Sequence, residues 1–257
     1  MTSFLEARDV SKTFGGLRAL DGCCLNVDEG SITGLIGPNG SGKTTLFNVI
    51  TGFLQSDSGE VRFRGDVITG AGPDRIFALG IGRTFQITRV FPRMTVIENM
   101  LVATQRHEGW LRSVLRSAGS QQEHARGMQL LDFVGLTHLA ESPAGNLSYG
   151  QRKLLELAYV LVADPEVILL DEPAAGVNPS LLNEIRDLII ELNGRGKTFL
   201  IVEHNMEFVM ELCHKVTVMH QGRALVSGVP AEVRQDPRVL DAYLGAWVSN
   251  PGSVRAV

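Results

Sequence analysis

Residues 37–44 read Gly-Pro-Asn-Gly-Ser-Gly-Lys-Thr, and no other stretch of the chain restricts its fold so tightly. The spacing is G-x-x-x-x-G-K-[ST], set between an apolar strand pattern at Ser31 to Ile36 and a helix pattern from Lys43 to Gly52, where a glycine supplies the cap. Glycines in such a loop let successive backbone N–H groups turn inward around phosphate oxygens, and the helix start adds its partial positive charge. Lys43 is predicted to bridge the β- and γ-phosphates of a nucleotide, and the Thr44 hydroxyl to hold Mg²⁺.

A second segment supplies what such a loop needs. Val167-Ile168-Leu169-Leu170 is uniformly apolar, as a parallel strand buried on both faces must be, and it runs into Asp171-Glu172-Pro173. A strand ending in a carboxylate delivers it to the sheet edge where ligands bind. Asp171 is expected to hold Mg²⁺ through water, and Glu172 to polarise the attacking water.

The remaining periodicities organise the chain around these two points. Gly22 to Val27 and Ser31 to Ile36 read as strands joined by the Asp28-Glu29-Gly30 turn, and Val61 to Ile68 as one further strand. From Met94 to about Asp164 the spacing turns helical, over Thr95 to Arg106, Trp110 to Arg116, Gln121 to Val134 and Gln151 to Val162. This predicts a helical insert. Helix Pro179 to Leu192, strand Thr198 to Val202, helix Met206 to Cys213 and strand Lys215 to His220 then alternate, which predicts a mostly parallel α/β sheet. The tail after Val248 reads as frayed.

Composition narrows the partners. Apolar residues make up 44% of the 257, enough for a real core, and the formal net charge of −4 gives no global pull toward nucleic acid or an anionic membrane. Cys23, Cys24 and Cys213 lack C-x-x-C spacing and an even count, so they read as free thiols, small buried hydrophobes in a reducing compartment. There is no secretory leader pattern and no apolar run of about 18 residues, so the expectation is a cytoplasmic protein that reaches a membrane only through other chains.

Leu147-Ser148-Tyr149-Gly150-Gln151 opens a helix with Ser148 as its natural N-cap. The order of phosphate loop, Leu-Ser-Tyr-Gly-Gln, Asp171-Glu172 and a strand followed by His204 resembles the ATP-binding cassette ATPases. The resemblance implies a P-loop NTPase (RecA-like) core with a mostly parallel sheet, an antiparallel β subdomain and an inserted α-helical subdomain. It divides the chain into a core at 1–86 and 166–248, an insert at 87–165 carrying the signature motif, and a tail at 249–257. It implies that Gly37, Pro38, Asn39, Gly40, Ser41, Gly42, Lys43, Thr44 and Thr45 hold ATP. Ser148 and Gly150 would contact the γ-phosphate of a second subunit, so that ATP is sandwiched in a dimer. His204 would hold Glu172 and the water in place, Gln86 would reach the Mg²⁺ and its water, and Phe14 would stack on adenine. Asn178 stands where many cassettes have Asp.

A narrower resemblance rests on Arg83-Thr84-Phe85-Gln86, on Val90 to Asn99, on Asp171 to Pro179 and on Leu240-Asp241-Ala242-Tyr243-Leu244-Gly245. These are similar to the ATP-binding subunit of branched-chain amino-acid importers, and also to urea importers and the lipopolysaccharide-export ATPase. The extended helical segment around Gln105 to Glu123 belongs to the same likeness. The partners implied are a second cassette (the same chain or a paralogue), integral-membrane permease subunits, a solute-binding protein acting indirectly, and no nucleic acid. The implied place is the inner face of the cell membrane. A chromosome-maintenance ATPase would need long heptads, a translation factor a second cassette and a GTPase an Asn-Lys-x-Asp segment; the sequence has none of these. A regulatory module without turnover would be expected to lack Glu172 or His204.

Overall fold

The computed structural model describes residues 3–84, 90–104 and 118–249. Among them the strands form two sheets. The first is antiparallel, in the order β2-β1-β4-β5, with β1 Leu5–Phe14, β2 Leu17–Val27, β4 Ser58–Phe63 and β5 Asp66–Val67. The second follows the order β10-β9-β3-β8-β7-β6, with β3 Ile32–Ile36, β6 Ile81–Arg83, β7 Val167–Asp171, β8 Thr198–Val202, β9 Lys215–His220 and β10 Arg223–Gly228. All its pairings are parallel except that of β10 with β9.

Helix α1, Lys43–Ile50, follows the phosphate loop, and α2, Pro73–Ala78, leads into β6. Between β6 and β7 lie α3 Val96–Thr104, α4 Ala118–Phe133 and α5 Tyr149–Leu161, the helical stretch expected from the sequence. After β7 come α6 Pro179–Gly194 and α7 Met206–Leu212, then α8 Pro230–Gln235 and α9 Pro237–Ser249. None of the described helices is long and apolar enough to cross a membrane.

The apolar character of the central strands follows from their position between two cores. Along β7, Ile168 and Leu170 join a cluster with α5, α6 and α7, while Val167 and Leu169 join the opposite one with α1 and the antiparallel sheet. In β8, Phe199 and Ile201 take the first side and Leu200 and Val202 the second. With both faces covered, alternation of apolar and polar residues has nothing to select it.

Two expectations change. Val61 to Ile68 is not one strand: Arg64 and Gly65 turn at φ 54° and 85°, and β4 folds back on β5 with Phe63 opposite Asp66. The period breaks at Gly65, whose freedom at positive φ suits a two-residue hairpin turn. The Asp28-Glu29-Gly30 turn joins β2 to β3 as expected and carries the chain from one sheet to the other, held by Ser31 N–H and its hydroxyl on the Asp28 carbonyl. Of the cysteines, Cys23 and Cys213 are buried but Cys24 is exposed, because it faces away from the core on β2. The helix expected at Trp110 to Arg116 and the tail from residue 250 lie outside the described residues, whereas Ser249 ends α9.

Candidate nucleotide site

Strands β3, β8 and β7 are neighbours in the parallel sheet, and their C-terminal ends lead into Gly37, Glu203-His204 and Asp171-Glu172. Segments more than a hundred residues apart in the chain therefore meet at one sheet edge, the usual place for a ligand in an open α/β sheet.

The loop from Gly37 to Gly42 needs its glycines. Gly37 (φ 150°) packs so closely on the Met219 carbonyl that a Cβ would overlap it, and Gly42 (φ 105°) is similarly confined by the Ala19 carbonyl. Gly40 has φ 78° and is open to solvent, as is Asn39 beside it, while Pro38 is partly covered. Ser41 is buried, its carbonyl accepting the Gly222 N–H at 2.9 Å. Gly42 starts α1 with no side-chain cap and no acidic residue in the first turn, which leaves the helix N–H groups to an anion.

Lys43 is buried, and its Nζ donates to the carbonyls of Gly37 (2.7 Å) and Pro38 (3.0 Å) and lies 3.4 Å from Ser41 Oγ. Burial pushes the ammonium below its ordinary pKa, and the nearby carboxylates of Glu172 and Asp171 oppose that shift. Thr44 is exposed and Thr45 half-buried at the start of the same helix. A glycine cradle, an uncapped helix start and a poised ammonium fit a triphosphate. The Thr44 hydroxyl and the Asp171 carboxylate are hard oxygen donors and fit Mg²⁺.

Asp171 is buried at the end of β7. Its Oδ2 accepts from an Arg83 guanidinium nitrogen at 2.9 Å, and its N–H donates to Thr84 Oγ1 at 3.2 Å. Arg83 also donates to Asn48 Oδ1 (2.7 Å) and Thr51 Oγ1 (3.0 Å), so it ties β6 to the end of α1 and to the carboxylate. Glu172 takes the unusual φ of 51° for a non-glycine residue, and its N–H donates to the Val202 carbonyl at 2.9 Å. Such backbone is costly and persists only where its surroundings hold it. Glu172 Oε1 meets His204 Nε2 at 2.7 Å.

Sequence reasoning missed Arg83 and Glu203 as parts of this site. Glu203 is buried, accepting from Ala174 N–H at 2.6 Å on one oxygen and from His204 N–H (2.9 Å) and Asn205 N–H (3.2 Å) on the other. The signal for Glu203 was a carboxylate directly after five buried strand residues. For Arg83 it was a cation closing a short buried strand.

Ser148 is the N-cap of α5, as expected, in a reciprocal capping box with Gln151: Gln151 N–H donates to Ser148 Oγ at 3.2 Å and Ser148 N–H to Gln151 Oε1 at 2.9 Å. Gly150 is buried, with Leu181 of α6 occupying the space a Cβ would need. The Tyr149 ring covers Gly176, so the start of α5 rests on the loop that follows Glu172. Asn178 caps α6, its Oδ1 accepting from Leu181 N–H at 2.9 Å. Phe14 ends β1 half-exposed, with Lys12 Nζ 5.8 Å from its ring centroid, so it is not a core residue. Gln86 lies outside the described residues.

The comparisons with known proteins converge on this arrangement. A family pattern described as "ABC transporter" matches residues 20–175, more than half of the chain, and one described as "Branched-chain amino acid ATP-binding cassette transporter" matches 225–246. The chain is 41% identical over 248 residues to the probable branched-chain amino acid transport ATP-binding protein LivG of Archaeoglobus fulgidus, covering 94% of this chain and 95% of that protein. A crystal structure of the ADP conformation of an ATP-binding cassette of an ABC transporter superposes with a TM-score of 0.84 at 38% identity, over 95% of this chain and 100% of that one. A dimeric structure of a bacterial ABC transporter cassette matches with a TM-score of 0.76 at 25% identity, over 88% and 98%. By its sequence match, its fold and the phosphate loop at the edge of its parallel sheet, the chain belongs to the ABC transporter family, as an ATP-binding, ATP-hydrolysing cassette.

Proposed function

We propose that this cassette powers the import of branched-chain amino acids, working on the inner face of the cell membrane with a second cassette and with integral-membrane permease subunits. The observation that carries the substrate class is the 41% identity across 94% of the chain to a protein named for branched-chain amino-acid transport. The match of residues 225–246 to the branched-chain cassette pattern supports it from the other end of the chain. In this reading residues 1–86 and 166–248 form the nucleotide-binding core and 87–165 the helical insert that follows dimer closure.

The backbone of residues 37–42 surrounds the phosphates, Lys43 places its charge between the β- and γ-groups, and Thr45 borders them. Thr44, Asp171 and Gln86 would hold Mg²⁺, which would supply positive charge to offset that of the phosphates. Phe14 offers a π face to the adenine. Glu172 accepts a hydrogen bond from the attacking water and takes its proton as oxygen bonds to the γ-phosphorus and the bond to ADP breaks. His204 fixes the Glu172 carboxylate through the contact at 2.7 Å. Ser148 and Gly150 of one subunit complete the phosphate site of the other, so that ATP joins the dimer and hydrolysis releases it.

The test is reconstitution with co-purified membrane partners in vesicles, measuring ATP-dependent uptake of labelled leucine, isoleucine and valine. Glu172→Gln is expected to bind nucleotide yet lose about 10²- to 10⁴-fold in turnover, and uptake with it. Lys43→Ala is expected to lose both nucleotide affinity and turnover. Uptake of urea without uptake of leucine would overturn the substrate assignment, and full turnover by Glu172→Gln the assigned hydrolytic base.

A further inference from the structure

Glu203 directly follows β8 with only 2% of its surface exposed, after a strand whose five residues are all buried. No Lys, Arg or His side chain forms an ion pair with it among the described residues. A carboxylate taken out of water without a counter-ion is expensive unless hydrogen-bond donors surround it. Here the donors are three backbone N–H groups, and their distribution is informative. Oε1 accepts from Ala174 at 2.6 Å, two residues after Glu172, while Oε2 accepts from His204 at 2.9 Å and Asn205 at 3.2 Å.

The carboxylate thus binds together the backbones of two segments whose side chains meet at the site, with Glu172 Oε1 and His204 Nε2 at 2.7 Å. One further backbone bond, from Glu172 N–H to the Val202 carbonyl at 2.9 Å, joins the same segments. The buried Cys213 thiol lies close enough to feel the charge, its pKa being pushed up to about 12 by burial first and by Glu203 second. A residue that merely filled this space would do so at lower cost as an aliphatic side chain.

We infer that Glu203 is a positioning residue for hydrolysis: its carboxylate clamps the loop after Glu172 to the segment bearing His204 and thereby sets the spacing of the Glu172–His204 pair. The inference rests on the proposed reading of those two residues as the hydrolytic pair. Among the described residues no hydrogen bond or ion pair joins Glu203 to the phosphate loop or its lysine, so its action is on turnover and not on nucleotide affinity. A glutamine at 203 has the same shape but one acceptor oxygen. Its NH₂ must face a backbone N–H on one of the two segments, and that segment is released. An aspartate keeps the charge but is one methylene too short to reach both.

The experiment uses the full-length protein carrying Glu203→Gln or Glu203→Asp, with Glu172→Gln alongside. Turnover, ATP affinity and the ¹⁵N shifts of the His204 imidazole are measured. Both Glu203 variants are expected to lose about 10- to 100-fold in kcat, the scale of an ~1 Å misplacement of a reacting group, with ATP affinity near that of wild type. The His204 Nε2 shift is expected to move toward that of a free imidazole. A folded Glu203→Gln with wild-type kcat and unmoved His204 shifts overturns the inference, and so does a loss of kcat accompanied by an equal loss of ATP affinity. Wild-type turnover by Glu172→Gln instead defeats the underlying reading of the pair. Hydrogen exchange on the wild-type protein tests the clamp without any variant. The Ala174, His204 and Asn205 amides are expected to be protected together, and rapid exchange at Ala174 overturns the clamp.

Discussion

Asp171 and Arg83 form an ion pair at 2.9 Å with side chains only 4% and 7% exposed. Water cannot replace either partner at such burial, so the pair matters most when one half is removed. Arg83→Met is expected to destabilise the protein by about 3–5 kcal/mol, the usual cost of leaving a buried charge without its counter-ion. Urea denaturation checks this, and an unchanged midpoint would mean that the carboxylate finds another partner. The thiols show the opposite use of burial. Cys24 is exposed and is expected to react with iodoacetamide in the native protein, whereas Cys23 and Cys213 react only after unfolding. Burial raises both buried thiols from the ordinary 9.0 to about 12, and raises Tyr243 from 10.0 to about 12. The fold therefore keeps protons that the unfolded chain releases. That stability is fully present below pH 9 and is lost as pH climbs toward 12. Thermal midpoints across this window, measured on Cys24→Ser to remove the reactive thiol, should fall steadily; a flat profile would contradict the burial.

Helix α6 is stapled at its start by Asn178, whose side chain accepts from Leu181 N–H at 2.9 Å, with Pro179 as the first helical residue. The asparagine that departs from the commoner Asp of cassettes keeps the physical role, because both side chains cap a helix about equally well. Asn178→Ala is expected to cost about 1 kcal/mol and Asn178→Asp close to nothing, read from urea midpoints. The cap matters beyond α6 itself, since Leu181 of its first turn covers Gly150 at the start of α5. If Asn178→Asp proved as destabilising as Asn178→Ala, the amide would be engaged elsewhere.

At the scale of the whole molecule, one sheet edge gathers the phosphate loop, Asp171-Glu172 and Glu203-His204 in a single chain. Under the proposed function Ser148 and Gly150 act across a dimer. A chain with Ser148→Arg keeps its phosphate loop and should still bind ATP, while the added cation blocks closure on the opposite subunit. A Lys43→Ala chain has the complementary lesion. In a mixed dimer both lesions can fall on one composite site and leave the other whole, so ATPase activity should return on mixing two inactive parents. A verified heterodimer without recovery, together with a Ser148→Arg monomer that no longer binds ATP, would place the Ser-Gly segment in its own chain's site.

What the sequence determined by itself was everything carried by short-range spacing. The run Gly37 to Thr44 specifies a phosphate cradle because glycine freedom and a following helix start are local properties, and the apolar run Val167 to Leu170 specifies a doubly covered strand. Ser148 before Gln151 and Gly52 after α1 marked helix ends for the same reason, and the strand and helix boundaries from Thr198 to His220 were legible almost to the residue. The tertiary structure alone decided what depends on contacts between distant residues. It made β3, β8 and β7 neighbours, and so brought Lys43, Asp171 and His204 to one edge. It left Cys24 facing solvent while Cys23 is buried. It also paired Arg83 with a carboxylate 88 residues away and set Glu203 against the N–H of Ala174. The sequence marks each charge at a strand end but not its partner, because the energy of a buried charge depends on which groups surround it, and those are assembled only when the sheet forms.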